Sequence, residues 1–390
     1  MCSALSITTD FHDAFGCEPE GVYAAPGRME LAGNHTDHQG GEVLAATVQL
    51  SIRAAVRRRM DRIVQVRSAG YPDVDISLDR LEPMPSESGT PSALVRGAAA
   101  QWLAAGFPSG GWEAVVSSDI PPGSGLSSSA AFSVLMLSTF NGLCAESQAE
   151  PLALARMARE AEVHYFGKPC GLMDQLAIAA GGISHICFRD PNQPKLESCF
   201  MDFSRHGLAL AVLNTGGSHA GLTGEYAEIA HEMDSVAQFL GGARLADVEE
   251  SEVWRQAKNI RTQFGDRAWL RATHFYEENR TVQAMVEAMK RDDAALFLQG
   301  IRLSGSSSVL RLQNIHPAGV FREQPLRVAL AATEHFLKGE GGFRVHGGGF
   351  AGTILVCLPA DRLGAYAEAM TPLFGANALL PLEITAQGVR

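Results

Sequence analysis

Alternation of hydrophobic and polar residues predicts β-strands in the first half of the chain. Valine, leucine and isoleucine alternate with polar residues over 48–53, and Val74, Ile76 and Leu78 stand between polar neighbours in the same way. A period of two is typical of strands with one face buried and the other in water. The apolar segment 114–117 predicts a further strand.

Apolar residues at helical spacing predict two helices beside these strands. The first covers 91–106, and the second covers 152–165 and ends before Gly167. Helices of this kind bury an apolar stripe against a neighbouring layer. Strands and helices together therefore predict a mixed α+β fold of packed layers.

The turn-rich segment 190–198 is the clearest break in the pattern. We therefore expect two domains, residues 1–200 and residues 201–390. Beyond the break, the almost wholly apolar run 208–213 predicts a strand that is buried on both faces. The other predicted elements are a long helical stretch at 224–290, a strand at 354–358 and a helix at 363–370.

The charge balance limits the kinds of partner that this chain can bind. Its 390 residues include 43 acidic and 32 basic side chains, which give a formal net charge of −11 at pH 7. Binding to nucleic acid or to an anionic membrane needs a basic face that displaces counterions, so both classes of partner are unfavoured. One basic cluster has arginines at 53, 57, 58, 59 and 62. Because no aromatic residues interleave it, we interpret this cluster as the solvated end of a strand.

The cysteines and the apolar runs bear on the cellular compartment. Seven cysteines lie at wide, irregular spacings and form no CxxC pair, so neither a disulfide framework nor a zinc ribbon is indicated. The amino terminus lacks the basic and apolar regions of a signal peptide. No apolar run approaches the roughly 20 residues of a membrane span. We therefore expect a cytoplasmic protein with reduced thiols and no membrane partner.

The strongest chemical motif is the glycine- and serine-rich segment 122–131, PGSGLSSSAA, which leads into an apolar helix. A small-residue turn at the amino end of a helix presents unpaired N–H groups and the positive end of the helix dipole, which suit a phosphate. A serine hydroxyl there can also bind Mg²⁺. The segment is not a Walker loop, since no Gly-Lys-Ser/Thr follows. The plainer alternative is a serine that caps the helix.

A dense polar run characterises the segment 27–41, GRMELAGNHTDHQGG. Six consecutive hydrogen-bonding side chains follow Gly33 and precede a double glycine. Each sugar hydroxyl needs a donor and an acceptor, so this run suits a sugar, although a polar hairpin loop has the same composition. His35 and His38 lack a third ligand at a plausible spacing, which argues against zinc.

Two further motifs are less specific when taken alone. Asp174 lies among apolar residues in GLMDQ, 171–175, and is either a helix N-cap or a catalytic carboxylate. Four glycines in six positions at 347–352 allow close backbone approach to a phosphate or another loop. A tight glycine hairpin is the alternative for this segment.

These four motifs, in this order and spacing, resemble the GHMP kinase superfamily and, within it, the galactokinase family. The resemblance runs from Ala25 to Gly352 and includes the segments 168–175, 215–219 and 271–279. It implies a two-domain GHMP kinase fold, with an N-terminal domain like ribosomal protein S5, a ferredoxin-like C-terminal domain and the active site between them. The implied activity is the ATP-dependent phosphorylation of the anomeric hydroxyl of a sugar.

The resemblance also implies a role for each matching residue. Asp174 matches the catalytic base, Arg28 matches the residue that steadies it, and Ser129 and Glu162 match ligands of Mg²⁺. A carboxylate near a guanidinium stays ionised at neutral pH and can accept the hydroxyl proton. The implied sugar contacts are Asn34, His35, Asp37, Gly171 and Tyr226, and the implied ATP contacts are Gly123, Ser124, Gly125, Leu126, Ser127, Ser128 and Ser129. ATP, Mg²⁺ and a small sugar are the expected partners, and a monomer or weak homodimer is the expected state.

The chain departs from the galactokinase pattern at a few positions. Galactokinases usually carry Glu where this chain has Asn34, and that residue resembles the one that holds the 6-hydroxyl of the sugar. A neutral Asn would admit a 6-carboxylate that Glu would repel. The segments 37–41 and 304–308 are more similar to galacturonokinases, and Ser218 stands where an arginine is common. A galacturonokinase, or a kinase of another modified pyranose, is therefore an alternative.

Two other hypotheses fit the motifs less well. A catalytically inactive galactokinase-like sugar sensor can lose a Ser-Ala pair in the phosphate loop, whereas Ser129 and Ala130 are present here. Mevalonate and homoserine kinases lack the His-Thr-Asp run that this chain has at 35–37. We therefore expect a sugar-1-kinase of the galactokinase type, a phosphotransferase with galactose as its default substrate.

Overall fold

The protein is described by a computed structural model that covers residues 4–145, 149–217 and 221–389. Its first half forms a seven-stranded sheet. The strands are β1 (Gly21–Ala32), β2 (Glu42–Arg58), β3 (Ile63–Ser68), β4 (Val74–Ser77), β5 (Trp112–Ser118), β6 (Ile183–Cys187) and β7 (Lys195–Cys199). They lie in the order β4-β3-β5-β2-β6-β7, and β1 also pairs with β2. The strands predicted at 48–53, 73–79 and 114–117 are confirmed by β2, β4 and β5, although β4 covers only Val74–Ser77.

Helices cover this sheet and complete its core. They are α1 (Ala4–Phe15), α2 (Pro91–Ala104), α3 (Ser128–Cys144), α4 (Pro151–Ala161) and α5 (Met173–Ala180). The helices predicted at 91–106 and 152–165 are confirmed as α2 and α4, and α4 continues into a π-helical turn, Glu162–Phe166. On α3, Val134, Leu137 and Phe140 are fully buried. Each such side chain contributes roughly 1.5–3 kcal/mol on burial, so α3 is held firmly against the sheet.

A second, four-stranded antiparallel sheet lies in the second half of the chain. Its strands are β8 (Leu208–Asn214), β9 (Gly342–His346), β10 (Thr353–Pro359) and β11 (Leu379–Leu382), in the order β11-β8-β10-β9. Ile354 and Val356 of β10 belong to the core beneath α11 (Pro325–Leu337) and α12 (Leu363–Phe374). Leu355 and Cys357 point to the opposite face and join the core of the first half. Strand β10 is therefore buried on both faces, and the predicted strand at 354–358 and helix at 363–370 are confirmed.

The helical stretch predicted at 224–290 is confirmed, but it is divided into four helices. The chain forms α6 (Thr223–Phe239), α7 (Glu250–Arg255), α8 (Ala257–Phe264) and α9 (Asp266–Lys290), and α10 (Ala294–Ser307) follows. Gly241 and Gly265 have φ angles of 84° and 90°. A left-handed residue cannot continue a right-handed helix, so the chain turns at both glycines.

The chain passes from the first sheet to the second between Cys199 and Leu208. A domain boundary near residue 200 stays a prediction, because the carboxyl-terminal tail of the chain packs back against the first half. Thr47 Oγ1 of β2 donates to the carbonyl of Thr385 at 2.8 Å, and Val389 N–H donates to the carbonyl of Ile178 at 3.1 Å. Across the described ranges, the helices are all too short or too polar to cross a membrane.

The arginine cluster at the end of β2 lies beside carboxylates. Arg59 lies 2.7 Å from Asp61 and 2.8 Å from Glu113, and Arg62 lies 2.6 Å from Asp79. Ion pairs in water contribute only about 0–1 kcal/mol each. These contacts therefore neutralise the cluster more than they stabilise the fold.

His185 on β6 gives the fold a dependence on pH. Its Nε2 lies 2.7 Å from Glu42 Oε2, and its Nδ1 lies 3.6 Å from Glu197 Oε2. The hydrogen bond with Glu42 raises the pKa of His185 above its ordinary value of 6.5. A raised folded-state pKa stabilises the protein fully below the unfolded-state pKa, and the stabilisation is lost as pH rises through the folded-state pKa.

We therefore predict that the contribution of His185 to the free energy of unfolding is full below about pH 6 and is lost as the pH rises, so that the difference in stability between the unsubstituted protein and His185→Gln shrinks with rising pH. At the lower pH, His185→Gln should have a free energy of unfolding that is smaller by roughly 1 kcal/mol, as measured by urea unfolding. His12→Gln, at an exposed position on α1, is the control. Identical pH profiles for His185→Gln and the unsubstituted protein would contradict the assignment.

Candidate active site

The glycine- and serine-rich segment forms the turn from β5 into α3, so it lies at the amino end of a buried helix. Gly123 and Gly125 have positive φ angles of 71° and 73°, and Ser127 is also left-handed, with φ 59°. Left-handed residues within such a turn direct successive N–H groups into an anion-binding concavity. The helix dipole adds positive potential at the same place, so the turn has the geometry of a phosphate loop.

The phosphate loop is held tightly by its neighbours. A Cβ atom on Gly125 would lie 2.6 Å from Thr353 Oγ1 and 2.9 Å from His346 Nδ1, so only glycine fits there. The buried Leu126 accepts the backbone N–H of Arg28 through its carbonyl oxygen at 3.1 Å. The seven predicted ATP contacts, Gly123, Ser124, Gly125, Leu126, Ser127, Ser128 and Ser129, are thus brought together in one anchored turn.

Arg28 and Asp174 form a largely buried ion pair beside this loop, in which the Asp174 side chain is 20% exposed. Arg28 lies on β1 and Asp174 in the first turn of α5, and Arg28 Nε donates to Asp174 Oδ1 at 2.7 Å. Arg28 Nη1 also donates to the carbonyl of Gly125 at 2.9 Å. The Ser127 hydroxyl donates to Asp174 Oδ2 at 2.6 Å. Ser127 therefore links Asp174 to the phosphate loop and does not act as a helix cap.

The surroundings of Asp174 keep it ionised. Burial by itself would raise the pKa of Asp174, but the charge of Arg28 and its hydrogen bond outweigh burial and lower the pKa to about 2. Lys168 and the Ser127 hydroxyl act in the same direction. A carboxylate in this state can accept a hydrogen bond from a substrate hydroxyl at neutral pH.

Ser129 and Glu162 supply two oxygen atoms at the amino end of α3. Ser129 Oγ donates to Glu162 Oε2 at 3.0 Å, and Gln175 Nε2 donates to the other carboxylate oxygen of Glu162 at 2.8 Å. Hydroxyl and carboxylate oxygens suit Mg²⁺, which takes its other ligands from water and phosphate. Nowhere in the described part of the chain do three or more His, Cys, Asp or Glu residues form a metal-binding group. Ser129 and Glu162 thus supply two ligands for such an ion, and water or phosphate oxygens would complete its coordination.

The polar segment 33–41, the sugar loop, faces the glycine-rich loop of the second half. His35 Nε2 lies 3.1 Å from the carbonyl of Gly348, and the His35 ring stacks on Tyr226 of α6 at 6.3 Å between centroids. The Tyr226 hydroxyl donates to the carbonyl of Gly349 at 3.1 Å. Burial lowers the pKa of His35 to about 3, so its ring is neutral.

Asp37 and Gly171 are in direct contact. A Cβ atom on Gly171 would lie 1.7 Å from Asp37 Oδ2, so the contact requires glycine. Gly171 immediately precedes α5, which carries Asp174. The contact therefore fixes the distance between the sugar loop and the ionised carboxylate.

The Asn34 side chain is buried and bonded within the protein. Its Nδ2 donates to Glu30 Oε2 at 3.3 Å and to the carbonyl of Gly347 at 2.7 Å. Its Oδ1 accepts from Asn314 Nδ2 at 2.7 Å. Of the five predicted sugar contacts, Asp37 lies against Gly171 and His35 stacks on Tyr226, whereas the Asn34 amide is engaged within the protein.

One face of α9 holds the sugar loop in place, a role that the sequence patterns did not indicate. Glu278 Oε1 accepts the N–H of Gly33 at 2.9 Å. His274 Nε2 donates to the carbonyl of Asn34 at 2.9 Å, since a carbonyl can only accept. Two serines of α10 complete the contact, Ser304 with Glu278 and Ser307 with His274. In the sequence, this face was indicated only by the family resemblance of segment 271–279, which did not assign a role to any of its residues.

His346 and Thr353 connect the second sheet to the phosphate loop, and they too were not identified from the sequence. His346 Nε2 accepts the N–H of Glu30 at 3.2 Å, so the proton is on Nδ1, which donates to Thr353 Oγ1 at 3.1 Å. Thr353 Oγ1 in turn lies 3.4 Å from the carbonyl of Ser124. Burial and the nearby charge of Arg28 lower the pKa of His346 well below 6.5, which agrees with a neutral ring. Ser218 and His219 of the predicted segment 215–219 lie outside the described residues.

Comparisons with known proteins bear on this geometry. Residues 93–182 match the family model described as GHMP kinases N terminal domain. Residues 9–58 match the model described as Galactokinase galactose-binding signature. The first range contains the phosphate loop and Asp174, and the second contains Arg28 and the sugar loop.

Curated relatives match almost the whole chain. The galactokinase of Homo sapiens is 30% identical over 390 residues, which cover 97% of this chain and 94% of the relative. The galactokinase of Streptomyces coelicolor is 29% identical over 378 residues, which cover 96% and 94%.

Solved structures are similar in fold. A galactokinase from Lactococcus lactis, solved with galactose, aligns with a TM-score of 0.83 at 22% identity and 98% coverage of both chains. A D-glycero-D-manno-heptose 1-phosphate kinase from Bacteriodes thetaiotaomicron aligns with a TM-score of 0.63 at 16% identity, covering 95% of this chain and 97% of that one. The α+β GHMP kinase fold expected from the sequence is thereby confirmed, and its division into two domains stays a prediction. Since relatives at about 30% identity match nearly its full length, the chain belongs to the galactokinase family of the GHMP kinases.

Proposed function

We propose that this protein is an ATP-dependent phosphotransferase that converts galactose to galactose 1-phosphate. The observation that carries the proposal is the chain of contacts from Arg28 through Asp174 to Ser127. It holds an ionised carboxylate between the sugar loop and the phosphate loop, where a hydroxyl and a terminal phosphate would meet. Phosphoryl transfer depends mainly on such positioning and on charge neutralisation.

Asp174 acts as the base in this reaction. The anomeric oxygen of the sugar forms a bond to the terminal phosphorus of ATP, and the bond from that phosphorus to the bridging oxygen breaks. ADP leaves with the bond's electron pair, and the proton of the anomeric hydroxyl passes to Asp174. Arg28 holds the Asp174 carboxylate in line and adds positive charge beside the transferred group. His35, Asp37, Gly171 and Tyr226 orient the sugar.

Ser129 and Glu162 are the residues that would hold Mg²⁺. The ion supplies charge neutralisation for the phosphate oxygens when it is bound. Gln175 keeps the Glu162 carboxylate oriented toward Ser129. The phosphate-loop amides hold the phosphates of ATP at the amino end of α3.

Galactose is favoured over galacturonate as the substrate. Both hydrogens of Asn34 Nδ2 are donated within the protein, to Glu30 and to Gly347, so this amide does not supply a donor to a 6-carboxylate. The relatives that match nearly the whole chain are named galactokinases, which supports the same choice and disfavours the sensor. A monomer or weak homodimer and a cytoplasmic location stay predictions.

Asp174→Asn should lower kcat by about 10³-fold, because the amide cannot accept the hydroxyl proton. Its dissociation constant for ATP, measured by calorimetry, should stay close to that of the unsubstituted protein. Asp190→Asn, at an exposed position, is the control for the charge change. A kcat within threefold of the unsubstituted protein would exclude Asp174 as the base.

Ser129→Ala should raise the Mg²⁺ concentration for the half-maximal rate by about tenfold, since one oxygen ligand is removed. The measurement is a Mg²⁺ titration at fixed ATP and galactose. Ser86→Ala, at an exposed position, serves as the matched control. An unchanged Mg²⁺ requirement would remove Ser129 from the metal site.

ATP consumption with galactose, galacturonate and N-acetylgalactosamine tests the substrate directly. We expect kcat/KM for galactose to exceed that for either other sugar by at least about tenfold. A preference for galacturonate would overturn the assignment and would require a carboxylate-binding group other than Asn34. Consumption of ATP with none of these sugars would contradict the proposed function.

A further inference from the structure

A second cation lies in the active site besides Arg28. Lys168 follows the π-helical turn after α4, and its side chain is 46% exposed. Its Nζ donates to Ser129 Oγ at 3.2 Å and lies 3.5 Å from Glu162 Oε2. The Lys168 ammonium therefore contacts the same two residues that would hold the divalent ion.

The ammonium and a divalent ion cannot share these oxygens, because like charges within a few ångströms repel strongly in a partly buried site. An ion bound to Ser129 and Glu162 must displace the lysine head group. The side chain has a flexible four-carbon stem, and its half-exposed position leaves it free to swing. Its backbone stays in place, since Lys168 N–H donates to the carbonyl of Glu162 at 3.0 Å.

The displaced ammonium remains beside the phosphate loop, because Ser129 belongs to the first turn of α3. Asp174 is paired with Arg28. With Glu162 turned to the divalent ion, a triphosphate held by the phosphate loop would offer this ammonium a new negative charge. An ammonium carries three rotatable donors and binds phosphate oxygens as a compact point charge. Lys168 is thus positioned to leave the Glu162 carboxylate and bind a phosphate oxygen of ATP.

We propose that Lys168 is a further catalytic residue, whose ammonium contacts Ser129 and Glu162 in the free protein and binds a non-bridging oxygen of the terminal phosphate once ATP and the divalent ion are bound. The inference rests on the proposed kinase function. If the proposal is right, removing the charge of Lys168 strengthens metal binding and slows turnover. The reason is that the same ammonium competes with the ion in the free protein and neutralises phosphate charge during transfer.

The test compares Lys168→Met, which keeps the length of the side chain and removes its charge, with Lys168→Arg, which keeps the charge. Lys195→Met, on the exposed strand β7, is the matched control. Binding of Mn²⁺ without nucleotide is measured from the electron paramagnetic resonance signal of the free ion. Lys168→Met should bind Mn²⁺ about tenfold more tightly than the unsubstituted protein and the control, whereas Lys168→Arg should not.

Turnover is measured on the same proteins with saturating ATP, Mg²⁺ and galactose. Lys168→Met should lose about 100-fold in kcat, the scale of one lost electrostatic contact in a transition state, with KM for galactose nearly unchanged. Thermal unfolding verifies that each variant folds, and Lys168→Gln replaces Lys168→Met if the latter does not.

Unchanged Mn²⁺ affinity in Lys168→Met, or a kcat within twofold of the unsubstituted protein, would overturn the role of Lys168 while leaving the kinase function intact. If the unsubstituted protein consumes no ATP with any sugar, the kinase function itself is wrong and the catalytic role of Lys168 is lost with it. Tighter Mn²⁺ binding together with a large loss of kcat supports the proposal.

Discussion

Inside the site, the guanidinium of Arg28 meets the carboxylate of Asp174 at 2.7 Å. Neither charge would be stable alone at this depth, because an unpaired buried ion loses its hydration without compensation. Pairing keeps both ionised and joins three elements, since β1 supplies Arg28, α5 supplies Asp174, and the phosphate loop contributes the Gly125 carbonyl and the Ser127 hydroxyl. The rest of the site is arranged around a carboxylate whose charge and direction are both fixed.

Buried polar contacts hold the two halves of the chain in register around that carboxylate. Arg344 of β9 lies 2.8 Å from Glu30 of β1, and both side chains are at most 2% exposed. Removing one partner of such a pair typically costs about 3–5 kcal/mol, because the other charge is left uncompensated. Glu278 of α9 likewise holds the N–H of Gly33. Apolar packing would tolerate small shifts between the halves, whereas these directional contacts fix where the sugar loop lies.

The sequence allowed the local parts of this site to be predicted, because their signals are local. The phosphate loop is a run of small residues before an apolar helix, and its left-handed glycines are readable from residue type alone. The contact between Glu30 and His346 joins residues 316 positions apart, and no periodicity encodes it. The helical stretch at 224–290 was predicted, but its division into four helices was not. Gly241 and Gly265 mark two of the breaks by residue type, whereas the break at Gln256 carries no such signal.

The buried contacts also explain why residue 34 is an asparagine, whereas galactokinases usually carry glutamate there. Asn34 Nδ2 lies 3.3 Å from Glu30 Oε2 and 2.7 Å from the carbonyl of Gly347, both of which need a donor. Burial already raises the pKa of Glu30 despite its pairing with Arg344. A glutamate at 34 would set a second carboxylate against the first and leave the Gly347 carbonyl without its donor. The presence of Glu30 therefore explains why residue 34 is an asparagine. Asn34 is not separate evidence for a 6-hydroxyl or a 6-carboxylate on the sugar.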